Sequence, residues 1–314
     1  MTTPMISEQW PRFLLPIVRK EWYQKMTAVI SPVAGLFGVE SSSAAAEYSQ
    51  GIGDMGLIPE YNSSDAEGAP AAIQYGSFQK LFETTFLPKE YAKGLAIERK
   101  LWDFDQKGNI RRRAQTLGNA TGNTIAYHQS SVFNNAFSAT AGHLGADGVA
   151  LCSATHDMSP SDGTHFVNRG TSALSYAAIN TTRAAGLALK ADDGTPMPIV
   201  YDTLIVPGAL ESKALEETRG SFVPGQADLT ASAINEGKFI RDIIVDPYLT
   251  DATNWFMVNK ELARLHLLWF WSAKPEMAMA PDSDYTLVAK YRIYLRFMYG
   301  WDDPRWIFGH EVAG

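Results

Sequence analysis

Between residues 287 and 299 apolar and polar side chains alternate with hardly a break. Leu287, Ala289, Tyr291, Ile293, Leu295, Phe297 and Tyr299 hold the odd positions, and Lys290, Arg292 and Arg296 fall on even ones. A period of two over this length predicts a strand with one buried face and one basic face. The basic face is either solvated or paired with acids of a neighbouring chain. A different period governs the stretch from about Ile110 to Phe137. There Ile125, Val132, Phe133, Ala136 and Phe137 recur at helical spacing and proline is absent, which predicts one long helix. Gly118 and Gly122 interrupt it and leave room for another chain to pass closely.

Thr171 or Ser172 is placed to cap a second helix reaching about Lys190, carried by Leu174, Ala177, Ala178, Ala184, Ala185 and Leu187. Asp192-Asp193-Gly194 turns the chain. Thr203 to Val206 reads as a buried strand stopped by Pro207, followed by a helix through Glu217. Phe239–Val245 and Trp255–Val258 read as strands, and Lys260 to about Phe270 as an amphipathic helix. Helices interleaved with strands, closed by a late long strand, predict a mixed α/β chain of the α+β class.

The first forty residues are broken by Pro4, Pro11, Pro16 and Pro32, leaving two or three helical turns over Ile17–Met26. Such a segment reads as an arm that packs on something else. Residues 41–72 are rich in Ser, Ala and Gly. From Ile73 to Leu87 the pattern is extended: Phe78, Phe82 and Phe86 mark one side, Leu81 and Leu87 the other, and Pro88 ends it. Two extended limbs joined by a polar tip predict a long projecting hairpin, the alternative being a disordered surface loop. Residues 97–113 are locally basic, ending in Arg111, Arg112 and Arg113.

Composition narrows the function. Of 314 residues, 46% are apolar and 19% charged, enough for a real core and too ordered for a disordered chain. Lys plus Arg number 27 against 34 Asp plus Glu, a net charge of −7 that argues against a sequence-independent duplex-DNA binder. The single cysteine, Cys152, excludes an intrachain disulfide. No run is long and apolar enough for a membrane span, and the N-terminus lacks the pattern of a secretion signal.

Catalytic readings find little support. Cys152, His156 and His165, with Asp157 between, contain zinc-ligand types, but their spacing matches no compact knuckle. Ser159 or Ser161 with His156, His165 and Asp162 makes a nominal hydrolase set without a nucleophile elbow. Gly51-Ile52-Gly53-Asp54-Met55-Gly56 matches a dinucleotide fingerprint but lacks its strand and helix. His266 reads as a packed helix histidine, and Asp302-Asp303-Pro304 as a turn. The expectation is a protein with no catalytic residues, no cofactor and no metal.

The order of elements resembles the major capsid protein family of tailed phages, with the HK97-like fold. The resemblance rests on Leu151-Cys152-Ser153-Ala154-Thr155-His156 through Asp162-Gly163, Asn168 and Thr171 to Ser175, which are similar to Mu-type head subunits. It rests also on Asp192 to Pro196 leading to Tyr201 through Pro207, and on Tyr291–Tyr299 followed by Gly300-Trp301-Asp302-Asp303-Pro304-Arg305. The resemblance implies an N-terminal arm (1–40), an extended loop (41–87), a peripheral domain with a spine helix (88–150 and 280–314) and an axial domain (151–279). It implies hexamers and pentamers of an icosahedral head, assembled in the host bacterial cytoplasm around packaged double-stranded DNA held without sequence specificity.

The expected inter-subunit contacts are Phe78, Leu81, Phe82 and Phe86 on the loop, and Arg111, Arg112 and Arg113 at the spine start. Partners implied are a portal, a separate scaffold protein (the chain opens at Met1 with a short arm), and in some members a decoration protein; no membrane is involved. Lys80, Lys89 and Lys93 lie near the loop, but no Lys–Asn pair is singled out, so no covalent cross-link is expected. An encapsulin-like compartment and a hydrolase using the 152–165 loop remain the alternatives.

Overall fold

The computed structural model describes residues 10–52, 58, 80–105, 108–140, 142–160, 162–192, 194–224, 231–279 and 288–313. Along the chain run α1 (Trp10–Ala28), β1 (Gly38–Ser41), β2 (Glu47–Ile52), β3 (Lys80–Phe86), β4 (Lys89–Glu98), α2 (Arg99–Asp103), α3 (Asn109–Asn134), β5 (His156–Ser159), β6 (Asp162–Phe166) and β7 (Arg169–Gly170). There follow α4 (Tyr176–Leu187), β8 (Thr203–Val206), α5 (Glu211–Arg219), α6 (Ala233–Glu236), β9 (Asp242–Val245), β10 (Trp255–Val258), α7 (Lys260–His266), β11 (Leu267–Met279), β12 (Val288–Trp301) and β13 (Ile307–His310). The chain divides into two units. One comprises Met1–Glu47, Phe86–Phe133 and Leu267–Gly300, the other Tyr48–Thr85, Asn134–His266 and Trp301–Gly314. β11 lies in the first unit and positions 301–314 lie in the second.

The first unit sets helices α1 and α3 with a sheet of order β1-β11-β12-β4. β12 shows the alternation read in the sequence: Ala289, Tyr291, Ile293, Leu295 and Phe297 are buried while Lys290 and Arg292 are exposed. It pairs antiparallel with β4 from Val288↔Glu98 to Phe297↔Lys89. Trp269 of β11 stacks on Phe297 at 4.4 Å between ring centroids. The expected helix from Lys260 ends at His266 instead, and Leu267-Leu268-Trp269-Phe270-Trp271 continues as strand β11. Bulky aromatic side chains favour the pleated surface of a sheet, where Trp269 finds Phe297.

α1 is longer than expected and contains Pro16. Packing outweighs the lost backbone bond and ring clash of an interior proline. Leu14, Val18 and Trp22 are buried on one face, and Trp22 Nε1 donates to Thr121 Oγ1 of α3 at 3.1 Å. The close passage expected at Gly118 and Gly122 is made by this same chain. A Cβ on Gly118 would lie 2.3 Å from the Trp22 carbonyl oxygen, and one on Gly122 2.6 Å from Val29 Cβ. The arm therefore packs on its own spine helix.

The second unit is built on a sheet of order β7-β13-β10-β8-β9. β8 is buried at every position, as its sequence predicts, and runs parallel to β9 and antiparallel to β10. Leu174, Ile179, Tyr201, Leu204, Val206, Trp255 and Met257 form the core with helices α4 and α5. The cap of α4 is Ser175 rather than Thr171 or Ser172. Its hydroxyl accepts from Ala178 N, and residues 169–170 are drawn into β7 instead. Two small two-stranded sheets complete this unit: β2 with β3, and the hairpin β5–β6.

Candidate functional site

Among the expected contact residues that the structure describes, the arginines are the most exposed. α3 begins where Asp105 accepts from the backbone N–H groups of Asn109 (2.7 Å) and Ile110 (3.2 Å). One turn of the helix then presents Arg111, Arg112 and Arg113, all exposed, while Ile110 and Ala114 on either side are buried. None of the three makes an ion pair with a described residue. Cations at a helix N-terminus oppose the macrodipole, so these side chains do not serve the helix they stand on.

The loop residues separate. Phe78 lies outside the described residues. Leu81 and Phe82 on β3 are half-buried and line a cavity in the second unit. Phe86 is 4% exposed and is spent within the first unit, its ring 5.6 Å from Phe270 and packed on Met298. The exposed large apolar residue there is Leu87, which follows β3.

The 152–165 region is a set of separate pairs. β5 and β6 bring His156 opposite Phe166 and Asp157 opposite His165. His156 is buried, bonded through Nδ1 to Asp147 Oδ2 at 2.5 Å and stacked on Phe166. His165, half-exposed, meets Asp157 at 2.6 Å. Cys152 is fully buried, and burial pushes its thiol well above the ordinary range, so it is no nucleophile at neutral pH. Ser161 and the side chains of Ser159 and Asp162 lie outside the described residues. So do Gly53 and Gly56 of the glycine motif, whose Gly51 sits within β2. Among the described residues no group of three or more His, Cys, Asp or Glu is arranged to hold a metal ion. Among them, too, no helix is long and apolar enough to cross a membrane.

Sequence reasoning missed a polar hub beside β2. Ser49 Oγ of β2 donates to Asp302 Oδ2 at 2.6 Å, and Asp302 Oδ1 meets His266 Nδ1 at 2.9 Å. The Asp302 N–H returns to the His266 carbonyl oxygen. Next to it Arg305 forks onto both oxygens of Asp303. Burial opposes ionisation of Asp303, but the Arg305 guanidinium outweighs it and holds that carboxyl below the ordinary range. Only the run of acids at 302–303 signalled this in the sequence, and a turn accounts for the same run.

The described residues give a four-stranded sheet with helices α1 and α3, a second α/β unit, and three exposed arginines that make no ion pair among them. Comparison with known proteins gives the class. The family described as Phage capsid protein matches residues 82–309, and the chain belongs to that family. No curated protein matches it. Among solved structures, a chain from Mycobacterium phage Adephagia shares 15% identity with a TM-score of 0.51, covering 90% of each chain. The capsid of the cyanophage P-SCSP1u shares 10% with a TM-score of 0.55, covering 89% of this chain and 87% of that one. A virus-like particle from Pyrococcus furiosus shares 11% with a TM-score of 0.52, covering 94% and 97%. At these identities the structures establish the HK97-like fold, and the family match makes the chain a structural subunit of a phage capsid.

Proposed function

We propose that the chain closes an icosahedral head as hexamers and pentamers around packaged double-stranded DNA, and performs no catalysis. The observation that carries this reading is the family match across 82–309, to which the exposed arginines of α3 add a means of association. Residues 1–40 act as the arm, 41–87 as the extended loop, 88–150 with 280–314 as the peripheral domain, and 151–279 as the axial domain. The loop, with Phe78, Leu81 and Phe82, laps onto the next subunit, and Arg111, Arg112 and Arg113 meet acids of a neighbour. Each such contact is head-to-tail, so repetition closes a ring, and many weak contacts add through multivalency.

Portal, separate scaffold and decoration proteins are the further partners on this reading, and assembly takes place in the host cytoplasm. The net charge of −7 suits a wall that encloses DNA without gripping it. Deleting residues 59–72 tests the loop. The reading expects folded subunits that fail to close shells, and normal particles from that deletion would overturn it.

A further inference from the structure

Three of the six histidines in the chain are paired with aspartates around one cavity of the second unit. The cavity, about 320 Å³, has Gln50, Gly51, Leu81 and Phe82 of the loop root on one wall. Asp147, Asp157, Asp302 and Asp303 supply its carboxylates, and Arg305 is the one permanent cation among its lining residues. Behind Asp147 and Asp157 stand His156 and His165, and His266 lines the cavity beside Asp302. The root residues that line the cavity are uncharged, and the neutral Ser49 hydroxyl bonds Asp302. The carboxylate that anchors the root is thus also the one whose orientation a titrating imidazole sets.

We propose that Ser49, Asp302 and His266 form a proton-sensitive clamp, which fixes the root of the long loop and loosens as the pH rises. Protonated, His266 supplies charge and a fixed donor to Asp302, so the acceptor offered to Ser49 is held in place. Deprotonated, it leaves four carboxylates facing one guanidinium, and Asp302 keeps the Ser49 hydroxyl but loses the ion pair that fixed its orientation. Burial works against the imidazolium, but the Asp302 hydrogen bond and the charges of Asp303 and Asp302 outweigh it and raise its pKa above the ordinary value. The sign follows: the stabilisation is complete below the unfolded value and is lost as the pH rises through the higher folded one.

Amide hydrogen exchange of the purified chain, corrected for intrinsic rates, tests this between about pH 5.5 and 8.5, a window spanning histidine titration. Exchange in 47–52 and 80–86 should quicken several-fold across that range while α3 stays constant. His266→Gln keeps a neutral donor and should flatten the profile. Ser49→Ala, a half-exposed site that leaves the Asp302–His266 pair in place, should give fast exchange at the root at every pH. A flat wild-type profile, or a wild-type profile in Ser49→Ala or in folded His266→Gln, would overturn the clamp. Its bearing on assembly rests on the shell reading, and the two fail separately: shells with a flat profile reject only the clamp, and a sloping profile without shells rejects only assembly.

Discussion

The indole of Trp255 lies flat on the imidazole of His310, with ring centroids 4.0 Å apart and planes 4° from parallel. Thr182 Oγ1 donates its proton to the Ala178 carbonyl, so the 2.7 Å contact with His310 Nε2 makes the imidazole the donor there. Among the described residues His310 Nδ1 has no hydrogen-bond partner to stabilise a second ring proton. Burial lowers its pKa to about 4.

Between roughly pH 6.5 and that value the unfolded chain binds a proton that the folded chain refuses, so stability falls as the pH falls. The loss approaches about 3 kcal/mol at the acid end. Thermal melts should show a smaller acid-induced drop in Tm for His310→Gln than for the wild type. Equal drops would contradict the neutral, buried assignment.

Gly118 is a position where a single methyl group decides whether α1 can sit on α3. Helix propensity alone would make Gly118→Ala favourable by up to about 1 kcal/mol. The added Cβ would instead meet the Trp22 carbonyl oxygen at 2.3 Å, a backbone atom that cannot swing aside. Gly118→Ala should therefore destabilise by about 1–3 kcal/mol in denaturant titration. A stabilised variant would mean that the arm is not seated there.

Cys152 is fully buried and its thiol is held protonated by its surroundings. Iodoacetamide should leave the native chain unmodified on the time scale on which it labels the chain in denaturant. Equal labelling rates would show that Leu151–Ser153 is open to solvent.

Reversing Arg111, Arg112 and Arg113 to glutamate should leave the far-ultraviolet circular dichroism and the Tm close to wild type. These side chains pair with nothing described in their own chain, and acids at a helix start suit its dipole. Sedimentation should show assembly lost. Undiminished assembly would remove the arginines from the interface.

Boiling purified shells in denaturing detergent should give a single band at the monomer mass. A ladder above it would reveal a covalent weld between subunits.

Much of the fold was legible because it is periodic. β12 and β8 announce themselves through alternation and through a continuous apolar run, and α3 through helical spacing. What failed was decided by partners distant in sequence. β11 reads as a helix continued from Lys260 until Trp269 is seen against Phe297. α1 reads as broken at Pro16 until the face carrying Leu14, Val18 and Trp22 is seen against α3. Phe86 looked like one more aromatic on the loop, and the register that buries it on Phe270 is set by another strand 184 positions later. The Ser49–Asp302 tie spans 253 positions, and no local pattern could signal it.

Electron microscopy of the purified chain, with a light-scattering mass on the same sample, tests the central claim most directly. Regular shells, tubes or five- and six-fold rings are expected. A monodisperse monomer at the highest soluble concentration, unchanged by crowding agent, would contradict self-assembly.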